Sequence, residues 1–284
     1  MARPSGCKGS TRRGSGDGVK TLFWGELTTR DFAGLDPEAT VAVWPLAAVE
    51  QHGPHLPLAT DALIADGMIG EVTRRLPRDL SILVLPTQAV GKSNEHLRSP
   101  GTLTLSAETA LRAWVEIGEA VHRAGLRKLV VVNSHGGNVD PIGIVSRELR
   151  VRLGMLVVAC SWRRFGLPPG LYTDEEAAVG IHAGDVETSL MLHFRPDLVR
   201  MDEARDFVPA TVEIGRTFKH LRPTGFTAFA WIAQDLHPSG AAGDASRATA
   251  EKGRATAEFQ ALAFIELLAD VTRFSLDRLA SAPP

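Results

Sequence analysis

Residues 41–61 read VAVWPLAAVEQHGPHLPLATD. The opening run, Val41–Ala48, is apolar without alternation. A strand with one wet face alternates apolar and polar residues, whereas a strand covered on both faces does not. Val41–Ala48 therefore reads as a buried strand, and its polar sequel lies at a strand's carboxyl end. Three more runs share this character: Ser81–Pro86 (SILVLP), Lys128–Asn133 (KLVVVN) and Met155–Ser161 (MLVVACS). Longer amphipathic stretches separate them, at about 61–76, 106–125 and 138–153. Within Ser106–Gly125, the apolar Leu111, Trp114, Val115, Ile117 and Val121 recur at roughly helical spacing. Ser106 can cap that helix and Gly125 can end it. Such alternation predicts parallel strands joined by right-handed crossovers, in an α/β fold: a three-layer α/β/α sandwich with a mostly parallel sheet. Asp185–Phe194 and Asp244–Val271 read as two further helices. Residues 203–243 resist assignment, with Arg222–Gly225 and His237–Gly243 read as loops.

Composition narrows the class. The 284 residues are 44% hydrophobic and 23% charged, ordinary for a chain that buries a real core. The formal net charge of −2 supplies no basic field for nucleic acid or anionic lipid. Two cysteines, Cys7 and Cys160, make neither a disulfide framework nor a thiolate zinc site, so a cytoplasmic setting is expected. No apolar run approaches the roughly 18–20 residues of a membrane span. Residues 1–19 are rich in Gly, Ser, Arg and Lys, lack the apolar core of a secretion signal, and read as a disordered tail. Residues 20–284 read as one domain, because no linker rich in Pro, Gly or Ser divides them.

In a parallel α/β sheet, ligands bind outside the carboxyl ends of the strands. Glu50-Gln51-His52-Gly53-Pro54-His55 follows the first strand, with Asp61 soon after. Ser93, Asn94, Glu95 and His96 follow the second, Ser134-His135-Gly136-Gly137-Asn138 the third, and Ser161-Trp162 and then His182 and Glu187 the fourth. Five of the nine histidines lie in these segments. Imidazoles and carboxylates without thiolates suit zinc, manganese or iron(II). Glu50 and His52, two apart on an extended turn, point the same way. A carboxylate such as Asp61 can bridge two metals about 3.5–4 Å apart. Each residue alone has an ordinary structural explanation, a histidine hydrogen-bonded at a strand end; their convergence after consecutive strands is what points to a metal. His55 reads as a residue that orients the loop, His122 and His193 as structural, His220 and His237 as undecided, and Cys160 as core.

Competing motifs are absent. Pro86 stands where a phosphate-binding loop ending in Gly91-Lys92-Ser93 needs glycine. No Gly-x-Gly-x-x-Gly, Gly-x-Ser-x-Gly or His-Glu-x-x-His occurs.

The segments Glu50–Pro57 with Asp61, Ser134–Asn138, and His182-Ala183-Gly184 with Glu187-Thr188-Ser189 resemble the creatininase (creatinine amidohydrolase) family, in order, over about residues 20–270. The resemblance implies a creatininase-like α/β/α fold, two divalent metal ions (zinc with manganese or iron) and a homo-oligomer, usually a hexamer. It implies that Glu50 and His135 bind one metal, His52 the other, that Asp61 bridges, that His182 is the acid/base and that Glu187 lies at the metal centre. Creatininase carries a tyrosine and a metal-binding glutamate directly after the histidine matching His135, where Gly136 and Gly137 stand here. Glu187 is the candidate replacement ligand, and is also a candidate catalytic group. A tryptophan of that enzyme is replaced by Ala178, and Trp162 could supply part of the lost substrate gate. Ser93, Glu95, His96 and Trp162 are the candidate substrate-binding residues.

The expected activity is hydrolysis of a C–N bond other than a peptide bond, in a cyclic amide, formamide or similar small amide, by water activated between two metals. Relatives with the His-Gly-Gly form include a deformylase of archaeal flavin biosynthesis and the peptidase that trims the mycofactocin precursor. The alternatives are a peptidase of that mycofactocin-maturation type and a non-catalytic α/β protein that binds a small ligand at the same strand ends.

Overall fold

The computed structural model describes residues 22–281, so the proposed tail at 1–19 lies outside the described residues. The strands are β1 (Leu22–Phe23), β2 (Thr40–Leu46), β3 (Ser81–Val84), β4 (Lys128–Asn133), β5 (Leu156–Ser161), β6 (Asp206–Phe207) and β7 (Gly243–Asp244). The helices are α1 (Thr60–Arg75), α2 (Ala107–Arg123), α3 (Val139–Leu153), α4 (Asp174–Val179), α5 (Asp185–Phe194), α6 (Thr211–Thr217), α7 (Ala233–Leu236) and α8 (Ala250–Arg273). Five strands form one all-parallel sheet in the order β1-β3-β2-β4-β5.

Alternate residues of each inner strand serve opposite faces, which is why the runs are apolar throughout. Val41, Val43, Val130 and Val132 pack with α1, α5 and α8. Ala42, Trp44, Leu46, Leu129 and Val131 pack with α2 and α3. Those two layers complete the expected sandwich. Ser106 accepts from the Thr109 N–H and caps α2, as its sequence predicts. β5 departs from the expectation of cover on both faces: it is a half-buried edge strand.

Two segments differ from their sequence reading. The helix expected from Asp244 begins only at Ala250, because residues 245–247 form a 3-10 turn and Thr249 caps the helix proper. Residues 203–243 contain α6, α7 and the small β6–β7 pair, elements too short to leave a periodic signal.

From the central β2, the chain moves outward to β3 and then crosses to β4 on the other side. Loops leaving β2 and β4 diverge at such a reversal and open a crevice at the carboxyl ends. Register places Leu46, Asn133 and Ser161 side by side at that edge.

Candidate metal centre

The residues after β2 form a tight turn. The Glu50 N–H donates to the Leu58 carbonyl (2.8 Å), and His52 pairs antiparallel with Leu56. Gly53 turns the corner at φ 66°, which favours glycine. Asp61 lies in the first turn of α1 and Glu187 in the first turn of α5, where the helix dipole favours a carboxylate. His135 follows β4 directly. His182 is clamped to Ala242 by paired backbone bonds of 2.7 and 3.2 Å. Ala183, buried and left-handed at φ 54°, donates its N–H to Glu187 Oε2 at 2.6 Å. A non-glycine residue pays about 1–2 kcal/mol for that conformation, and the strain sits between His182 and Glu187.

Hydrogen bonds set which nitrogen each imidazole presents. His135 Nε2–H donates to the Lys92 carbonyl at 3.0 Å. Its Nδ1 then faces Glu50 Oε1 (3.2 Å) and Asp61 Oδ2 (3.4 Å). Both oxygens are buried without a hydrogen-bond donor. His52 Nδ1–H donates to the Glu50 carbonyl at 3.1 Å, turning Nε2 toward Asp61 Oδ1 (3.2 Å) and Glu187 Oε2 (3.9 Å). The two oxygens of Asp61 thus face two different imidazoles. Glu50, Asp61 and His135 make one group able to hold a cation; His52, His182 and Glu187 make a second, and Glu50, His96 and His182 a third. In each, the donor atoms lie within 4.8 Å of one another. Carboxylates and imidazoles crowded on a common point in a buried site need positive charge among them, either protons on the imidazoles or cations in their place. The nitrogen and oxygen donors, the orphaned oxygens and the fixed ring orientations fit divalent cations.

Protons respond to the same field. Burial alone would raise Glu50, but His135 outweighs it and holds the carboxyl well below the usual range. Burial likewise raises Asp61, and the charge of His52 brings it down. Burial lowers His52, yet Asp61 and Glu187 lift it to about 9, and Glu50 and Asp61 lift His135 well above its ordinary value. For His182, burial and then the neighbouring His52 push the imidazole down. Its Nε2–H donates to the Gln51 carbonyl (2.6 Å), leaving Nδ1 3.7 Å from Glu50 Oε1.

Ser93, Glu95 and His96 touch the same cluster, and Trp162 lines the cavity beside it. Ser93 donates its hydroxyl to Glu50 Oε2 through a short bond. Glu95 Oε1 lies 3.3 Å from His135 Nε2, beside the Lys92 carbonyl. His96 Nδ1 accepts from the Gln51 amide (2.8 Å), and its Nε2 lies 3.4 Å from Glu50 Oε1. Trp162 is buried and lines a cavity of about 510 Å³, which His135 and Glu187 also line. A Cβ at Gly137 would collide with Glu95, Lys92 and His135, so the Glu95 carboxylate fills the room a side chain there would need. His55 Nε2 meets the Thr188 hydroxyl (2.9 Å) on α5, consistent with an orienting role.

Sequence reasoning missed two residues. Gln51, inside the motif, ties His96 to the Gly240 carbonyl (2.9 Å) and lies 3.1 Å from His182. Buried Glu176 accepts from the N–H groups of Asp185 (2.8 Å) and Asp244 (2.9 Å), holding the His182 loop against β7. The glycines at 180, 184 and 243 crowd its carboxylate. That pattern was the available signal, visible only once the loops are folded together.

Comparison with known proteins places the chain. The family model for creatinine amidohydrolase matches residues 25–268. The mycofactocin precursor peptide peptidase of Mycolicibacterium smegmatis is 33% identical over 231 residues, covering 81% of this chain and 83% of that protein. The creatinine amidohydrolase of Pseudomonas putida is 34% identical over 209 residues, covering 68% of this chain and 79% of that one. Among solved structures, a creatininase variant complexed with creatine superposes with a TM-score of 0.72 at 28% identity, covering 90% of this chain and 100% of the other. The manganese form of creatininase gives 0.71 at 27% identity, with the same coverage. On sequence and fold together, this chain belongs to the creatininase family.

Proposed function

We propose that the protein is a metal-dependent amidohydrolase that cleaves an amide C–N bond with two divalent cations, zinc with manganese or iron. Glu50, Asp61 and His135 would hold one cation; His52 and Glu187 would hold the other, with Asp61 shared. The observation that carries this reading is the convergence of Glu50 Oε1, Asp61 Oδ2 and His135 Nδ1: two buried carboxylate oxygens with no hydrogen-bond partner, and the imidazole nitrogen that faces both. When bound, the cations would polarise the amide carbonyl and lower the pKa of water from 15.7 toward about 7. The chain supplies the rest. Ser93 and Glu95 fix Glu50 and His135 in place. His182, with Nε2–H committed to the Gln51 carbonyl, keeps Nδ1 free and unprotonated near neutral pH, ready to take a proton and pass it to the departing nitrogen.

The cyclic-amide or formamide substrate suggested by the sequence is one version of this reading. The 510 Å³ cavity beside His135 and Glu187 favours a second, a linear peptide-like amide, in keeping with the mycofactocin precursor peptide peptidase relatives. Hydrolysis of creatinine, N-formyl amino acids and short peptides by protein stripped with chelator, then reloaded with zinc or manganese, tests the proposal. Turnover restored by metal and lost in His182→Ala is expected. Equal turnover before and after stripping would sink it.

A further inference from the structure

The cavity next to the cluster has features that the hydrolytic centre does not use. Its walls include Ile64, Val139, Val186 and Leu190, all apolar. Two buried polar atoms belong to residues that line it and have no hydrogen-bond partner: Trp162 Nε1, a donor, and Gln260 Oε1, an acceptor. Trp162 is 4% exposed and Gln260 2%. An unsatisfied buried polar group is costly, so a ligand that pairs with these atoms is favoured in this space. Two arginines also line it. Arg163 is committed, donating to the carbonyls of Gly180 (2.6 Å) and Ala177 (2.8 Å). The exposed Arg164 has no ion pair or hydrogen bond among the described residues.

We infer that this cavity is a substrate subsite for an apolar side chain with a carboxylate beside it, so that the preferred amide is an N-acylated apolar amino acid or a short peptide ending in one. The apolar walls take the side chain, and Arg164 takes the carboxylate. The Trp162 N–H and the Gln260 oxygen suit a substrate C=O and N–H. A compact ring such as creatinine has neither an apolar side chain nor a carboxylate, so it leaves the apolar walls and Arg164 unused. The inference rests on the amidohydrolase reading for its chemistry but on the cavity alone for its binding.

The test uses three probes: N-formylleucine, N-formylleucinamide and N-formylglycine. Binding is measured by calorimetry to metal-stripped protein and to zinc-loaded protein, and formate release is followed separately. N-formylleucine is expected to bind about tenfold more tightly than either analogue, the amide lacking the charge and the glycine lacking the side chain. In Arg164→Ala, the acid and the amide should bind alike, while the preference for leucine over glycine persists. Equal binding of the three probes, no detectable binding at millimolar concentration, or an acid preference unchanged in Arg164→Ala overturns the subsite. Selective binding without formate release leaves the subsite standing and counts against the amidohydrolase reading. Unselective hydrolysis does the reverse.

Discussion

A neutral imidazole offers one lone pair, and at His135 the Lys92 carbonyl decides which nitrogen carries it. Glu95, beside that N–H, raises the basicity of the ring and holds its plane. Such outer partners typically contribute 10–100-fold to metal affinity. Glu95→Gln and Ser93→Ala should each weaken zinc binding by about that factor, read by competition with a chelating dye, with the fold retained. Substituting Glu50, His52 or Asp61 instead should remove a cation outright. His52 adds a pH signature. Its folded pKa of about 9 exceeds the ordinary 6.5, because Asp61 and Glu187 outweigh burial. In metal-free protein this histidine adds stability that is complete below about 6.5 and is lost as pH rises through about 9. A cation must displace that proton. Zinc titrated into the metal-free protein at neutral pH should therefore release protons, measurable by calorimetry in buffers of different ionisation heat. Zinc binding without proton release would refute this account of His52.

At the scale of elements, α5 carries Glu187 and is held in place by close contact with α8. Gly253 of α8 lies against the Ser189 carbonyl of α5, and a Cβ there would strike backbone. Glycine inside a helix ordinarily costs about 1 kcal/mol relative to alanine, so Gly→Ala should stabilise where space allows. Gly143 in α3 has open space around its missing Cβ. Gly143→Ala should raise the melting temperature slightly, whereas Gly253→Ala should lower it, since overpacking costs about 1–3 kcal/mol. Paired thermal melts check the opposite signs. The sequence could show α5 and α8 by periodicity, yet not their proximity, because Ser189 and Gly253 are far apart along the chain. For the same reason Ser93, Glu95 and His96 read as a substrate loop: their contacts with Glu50, Gln51 and His135 join three separate strand ends. β1 was illegible, since two paired residues at a sheet edge leave no pattern.

For the whole molecule, the arrangement of the sheet explains why the site stood out in the sequence. Strands buried on both faces leave continuous apolar runs, and a parallel sheet with a reversal at β2 collects the residues after β2, β3 and β4 in one crevice. Glu50, His52, Asp61 and His135 were readable because each lies within about fifteen residues of such a strand end. The Glu176 support was not, because its partners are backbone N–H groups at the start of α5 and the end of β7, which no side-chain pattern brings together. A cation held as proposed would tie β2, β4, α1 and α5 together and so stabilise the fold by mass action. Ligand at a hundredfold excess over Kd adds about 2.7 kcal/mol. Chelation should lower the melting temperature by several degrees, and zinc or manganese should restore it.

The most direct measurement is anomalous diffraction at the zinc or manganese edge from crystals grown with that metal. Two peaks about 3.5–4 Å apart are expected, one against Glu50 and His135, the other against His52 and Glu187, with Asp61 between them. A site without anomalous signal, or a single ion bound away from Asp61, would contradict a paired-cation centre.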